Sequence, residues 1–203
     1  MADPATDAAA TDELDDYSGA FNPDFKPEDL SKEALIKLWK NTCRLLIGVD
    51  GHWASRVRER LGEAETFEIN NGVWEDMVAR EKRWITDGFN IDGNDLAAFF
   101  KFQQLNPATA GIMEIDLDLK SPDRGIMTVT RCSVLESCEK LNLPNRQRAC
   151  CAMDEIYFPN QAKEVNPNIE TKCLKLPPRQ SPDEIACQWE FTMKSDESAA
   201  EGS

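Results

Sequence analysis

The hydrophobic period of this chain changes once, between residues 106 and 113, and that change limits which folds it can adopt. Up to Gln104 apolar residues recur every three to four positions. Leu35, Trp39, Cys43 and Leu46 form one stripe; Val73, Trp74, Met77, Val78, Trp84 and Ile85 form another; Leu96, Phe99 and Phe100 form a third. Such spacing predicts helices. Gly48 and Gly51 are expected to divide the stretch from Leu30 to Gly62 into two helices. A third helix is expected from about Asn70 to Asp87, and a fourth from about Asn94 to Gln104. Beyond Pro107 the period is two: Met113, Ile115, Leu117 and Leu119 alternate with Glu114, Asp116 and Asp118, as in a strand with one dry and one wet face. The SPDRG turn returns the chain through Ile126 to Val134 as the second half of an antiparallel hairpin. A short helical piece around Leu135 to Leu141 follows, then a helix opened by Pro144 and running to about Val165. Strands at Ile169 to Leu176 and Ile185 to Met193 close the sheet. The expected fold is α+β: an N-terminal helical part followed by a four-stranded antiparallel sheet with helices packed on one face.

Charge separates this domain from its ends. The 203 residues carry 23 Lys+Arg against 37 Asp+Glu, a net −14. Residues 1–29 hold nine carboxylates against Lys26 alone, and residues 194–203 hold three against Lys194. These ends, rich in Ala, Ser, Asp and Glu, lack the apolar surface that offsets the entropy of ordering, and read as disordered tails. Residues 30–193 form one expected domain, helical over 30–106 and sheet-forming over 112–193. The acidity, together with the lack of a basic stripe interleaved with aromatics, argues against nucleic acid as a partner. With no apolar run long enough to span a membrane and no secretion-like start, a cytoplasmic protein is expected.

Seven cysteines stand at 43, 132, 138, 150, 151, 173 and 187, six of them within 56 residues. An odd count in a cytoplasmic setting argues for thiols or metal ligands over a disulfide framework. Cys187 alternates with Trp189 and Phe191, which places it on the core side of the last strand. Cys150 shares a helical arc with Met153, Ile156 and Tyr157, while Cys151 lies about 100° around the helix. Cys173 shares a face with Ile169 and Thr171, and Cys132 one with Thr128 and Thr130; alternation leaves their direction open. Four thiols from three strands and a helix could bind zinc or an iron–sulfur cluster. The spacings contain no CxxC pair, and packing as small apolar side chains is the competing explanation. Cys43 and Cys138 are assigned to packing.

His52 is the one histidine, which excludes any site needing two imidazoles. It could serve as a general base or as a hydrogen-bonded residue at a helix junction. Glu81 falls on the Trp74, Met77, Val78, Ile85 stripe, where it is either buried with a raised pKa or extended outward toward Arg80 and Lys82. The Ser-His-Asp order, phosphate-binding glycine loops, HExxH and GxGxxG are all missing.

The segments VTRC at 129–132, the Cys150-Cys151 helix, NPNIETKCLKLPP at 166–178 and CQWEF at 187–191 resemble a family of small prokaryotic proteins related to L-2-amino-thiazoline-4-carboxylic acid hydrolases. DGHW at 50–53 and NGVW at 71–74 are similar as well, so the resemblance spans about residues 30–193. It implies that Cys132, one of Cys150 and Cys151, Cys173 and Cys187 belong to the family pattern, and that Cys43 and Cys138 do not. The expected function is a four-cysteine site, with zinc or an iron–sulfur cluster, beside a small-molecule pocket, in a hydrolase-like protein. One alternative is a metal-independent hydrolase of a thiazoline-type substrate, with Cys132 as nucleophile and His52 or Glu81 handling protons. The other is a ligand-binding or accessory protein without chemistry. A homodimer is compatible with each.

Overall fold

The structure, a computed structural model, describes residues 13–194. Helix α1 (Lys32–Leu61) is capped by Ser31, whose hydroxyl oxygen accepts from the Ala34 amide. It is unbroken, which corrects the expected division at Gly48 and Gly51. A helical glycine costs only about 1 kcal/mol against alanine, and the stripe of residues that α1 lays against the rest of the protein outweighs two such positions. Gly51 has a packing reason, since a Cβ there would lie 2.6 Å from Arg146 Nη2. Gly62, at φ +91°, then reverses the chain into α2 (Glu63–Phe89), which starts seven residues earlier than its apolar stripe suggests. The two form an antiparallel hairpin, tied where Trp74 Nε1 donates to Asp50 at 3.1 Å.

Helix α3 (Leu96–Leu105), capped by Asp95, leads into strands β1 (Met113–Ser121) and β2 (Arg124–Cys132). Helices α4 (Ser133–Lys140) and α5 (Pro144–Val165) precede β3 (Ile169–Lys175) and β4 (Cys187–Met193). The sheet is antiparallel in the order β1-β2-β4-β3, so the fold is the expected α+β one with helices ahead of the sheet. Its outer face is wet: Gln188 donates to Thr128, and Arg124 pairs with Glu190. Its inner face meets α3 and α5. Phe99 lies 4.7 Å from Phe191 and Phe158 lies 5.2 Å from Trp189, centroid to centroid, and all four are fully buried. Each large aromatic hidden there contributes a few kcal/mol of apolar burial, roughly 25 cal/mol per Å².

Two local departures matter. Residues 13–29, expected to be a disordered tail from composition, carry a bridge between Leu14 and Leu30, a Tyr17–Phe25 ring contact and a 3-10 turn at Pro27–Asp29. The backbone of Leu14 bonds to Asp29 and Ser31, just ahead of α1. The expectation for 1–12 and 195–203 lies outside the described residues. In β2, Ile115 pairs with Val129 but Glu114 pairs with Arg131, so Thr130 is an extra residue. That bulge resets the alternation and turns Cys132 away from the face of Thr128 and Thr130 to the buried side.

Candidate functional site

Two adjoining cavities lie where the α1–α2 hairpin, α5 and the β2–α4 junction meet. The larger, of about 130 Å³, has room for a small organic molecule. Ile47, Phe67, Trp74 and Tyr157 give it apolar walls, and Asp50, Arg58, Glu63 and Arg146 supply charge. Arg58 Nε pairs with Glu63 at 3.0 Å, whereas Arg146, half-buried over Gly51, forms no hydrogen bond or ion pair among the described residues. The smaller cavity, of about 20 Å³, is lined by five thiols: Cys132, Cys138, Cys150, Cys151 and Cys187.

Asp154 and Cys150 border both cavities, together with Met113 and Val134. Asp154 follows Cys150 by one turn of α5, so the two side chains stand on one face. Asp154 is half-buried and lines both cavities. Burial, with the nearby Glu155 charge, pushes its pKa up to about 7. It forms no hydrogen bond or ion pair among the described residues. Every thiol near it is held in the neutral form. Burial pushes Cys132 up to about 11 and Cys151 up to about 12, raises Cys187, and raises Cys150 well above its ordinary value; the Asp154 charge adds to all four shifts.

Convergence of the thiols follows from the sheet. Val129 pairs directly with Cys187, and three residues later, past the bulge, Cys132 caps α4, where its sulfur accepts from the Leu135 amide at 3.5 Å. Trp189 Nε1 donates to Cys187 at 3.3 Å. Cys150 and Cys151 arrive from α5, both facing the small cavity, with Cys150 the more deeply enclosed. Cys173 shares the inner face of β3 with Ile169 and Thr171 and lines neither cavity. Cys138, assigned to packing from the sequence, lines the small cavity, while Cys43 is buried against Gly111. Among the described residues no group of three or more His, Cys, Asp or Glu side chains is arranged to hold a metal ion.

The other candidate residues separate. His52 is exposed on α1 and borders neither cavity, although its neighbours Asp50 and Gly51 do. Glu81 is buried beneath the larger cavity, so of its two open readings the outward one does not occur. Tyr157, a cavity wall, donates its hydroxyl to Glu81 Oε2 at 2.7 Å, and Gln161 donates to the same oxygen at 3.2 Å. Gln103 donates to Gln161, and Thr109 to Gln103, so the carboxyl ends a continuous buried polar chain. Burial raises the Glu81 pKa despite these donors, which oppose the rise. Asp154, the residue that sequence reasoning passed over, had a visible signal: a carboxylate one turn beyond Cys150 on an otherwise apolar arc.

Among known proteins, no curated protein and no solved structure matches this chain. The chain belongs to a family of unknown function, DUF6125, which matches residues 28–193.

Proposed function

We propose that this protein binds a small molecule in the larger cavity and acts on it by proton transfer at Asp154, in a hydrolase-like reaction. The observation that supports it is the buried, uncommitted carboxyl shared by both cavities, with a pKa raised to about 7. A group half-protonated near neutrality serves as acid and base in one cycle. For a thiazoline-type substrate, protonated Asp154 gives its proton to the C=N nitrogen as water adds to the carbon, and the carboxylate takes the proton that the added water releases. The hydroxyl adduct then expels the ring sulfur, the C–S bond breaking as a C=O forms, with Asp154 passing its proton to the departing sulfur and receiving the one from the hydroxyl. The neutral thiols act here as a weakly polar wall that keeps the carboxyl protonated. This role fits the thiols better than attack by Cys132: at a pKa of about 11 its thiolate is about one part in ten thousand at pH 7. The test is hydrolysis of thiazoline and related C=N compounds across pH. Wild-type turnover that falls as pH rises through about 7 and is lost in Asp154→Asn supports the reading. Turnover unchanged in that variant overturns it, and binding without turnover leaves the accessory reading in its place.

A second reading, zinc or an iron–sulfur cluster held by the cysteines, draws support from the convergence of Cys132, Cys150, Cys151 and Cys187 on one small cavity. Such an ion would have to deprotonate thiols that burial keeps neutral. Metal analysis and a visible spectrum after anaerobic purification decide it. Near-stoichiometric zinc or iron lost in Cys150→Ser supports it, and four freely titrating thiols without metal sink it.

A further inference from the structure

Helix α1 has two apolar faces and only one of them is covered. Ile47, Asp50, Gly51, Ala54 and Arg58 face the large cavity. On the opposite side Leu35, Leu38, Trp39, Leu45, Leu46, Val49 and Trp53 stand exposed, Leu45 at 68% and Val49 at 62%. Their order is that of a helix seam. Leu35, Thr42 and Val49 repeat every seven residues, as do Leu38 and Leu45, with Trp39, Leu46 and Trp53 along one flank. The stripe runs about 27 Å at 1.5 Å per residue.

We infer that this face is the dimer interface of the protein, formed by α1 of a second copy packed antiparallel across it. Three observations point to a second copy as the occupant. Within the stripe the seam Leu35, Trp39, Thr42, Leu46, Val49, Trp53 is palindromic about position 44, as a two-fold contact requires, with Leu38 and Leu45 beside it: Leu35 meets the partner copy's Trp53 position, Trp39 its Val49 position, and Thr42 its Leu46 position. The same register sets Glu28, just ahead of α1, opposite Arg60 in the last turn of α1 of the other copy. The area also fits: the seven side chains expose about 700 Å² per copy, close to the roughly 800 Å² per partner of a standard interface. The cavity residues of α1 lie on its other face, so each copy keeps its own pocket.

The full chain, 22.9 kDa as a monomer, is to be run by sedimentation velocity at about 1 to 50 µM with two sets of variants. Wild type should sediment as a dimer. Leu45→Glu with Val49→Glu should shift it to monomer at every concentration, with unchanged far-ultraviolet circular dichroism. Arg60→Glu should weaken the dimer by about tenfold or more, and Arg60→Glu combined with Glu28→Arg should restore it. A monomeric wild type at 50 µM, as would follow if another segment of the chain covers the stripe, overturns the inference. So does a dimer indifferent to the Leu45 and Val49 substitutions, and failure of the charge swap to rescue overturns the antiparallel register.

Discussion

Replacing Asp154 by asparagine should make the protein more stable at neutral and alkaline pH, though it removes a charged group from the candidate site. The reason lies in the proton balance. An aspartyl carboxyl in the unfolded chain titrates near 3.8, whereas the folded one titrates near 7. Between those values the folded state holds a proton that the unfolded state has released, so stability falls as pH rises through the window and levels off above it. The gap of about three units corresponds to up to about 4 kcal/mol at 1.36 kcal/mol per unit, less whatever cavity water screens. Asparagine cannot ionise and escapes this loss. For a chain of this length the difference is roughly 10 °C in Tm above pH 7, shrinking to near zero at pH 4. The constant cost of an unpaired amide in the cavity moves the whole curve but not its slope. Thermal melts of wild type and Asp154→Asn from pH 4 to 8.5 give the comparison. Two melting-temperature curves that run parallel across that range would refute a buried, late-titrating Asp154.

Other outcomes follow from single contacts. Tyr157→Phe removes the shortest hydrogen bond to Glu81, at 2.7 Å, and should cost about 1–3 kcal/mol in urea denaturation; because the lost donor favoured the charged form, the cost should grow as pH rises. Gly125→Ala places a Cβ 2.5 Å from the Phe100 ring and should destabilise by about 1–3 kcal/mol, partly recovered by adding Phe100→Leu. Alkylation at pH 7.5 should be far slower at Cys132, Cys150, Cys151 and Cys187 in the folded protein than in urea; one fast-reacting thiol among them would restore the nucleophile reading.

What the sequence made legible depended on distance along the chain. The change of period gave the strands, since alternation such as Met113 to Leu119 is a local consequence of one buried face. The same local logic placed Cys187 and Cys150 inward. It failed at α1, because the cost of Gly48 and Gly51 is visible locally but the packing that outweighs it comes from elements far away in sequence. For Cys138, whose sequence neighbours look polar, the burial comes from α4 being set against α5. The meeting of thiols at one cavity rests on β2 pairing with β4 rather than with β3, a long-range choice that no spacing records. Asp154 was readable as an acid on an apolar arc; its role as a wall between two cavities was not.

The bulge at Thr130 carries a consequence for how this chain tolerates change in length. Because the bulge absorbs Thr130 as a surplus residue, deleting it would leave the strand the same apparent β-former and the hairpin closed. Arg131 would still stand opposite Glu114 and Cys132 opposite Met113, now in plain alternation, so the sulfur keeps its place at the wall of the thiol cavity. What would send the sulfur to solvent is loss of the bulge at unchanged length, which would pair Thr130 with Glu114 and Arg131 with Met113, so relatives that keep the cavity should carry either the bulge with its extra residue or a regular strand one residue shorter.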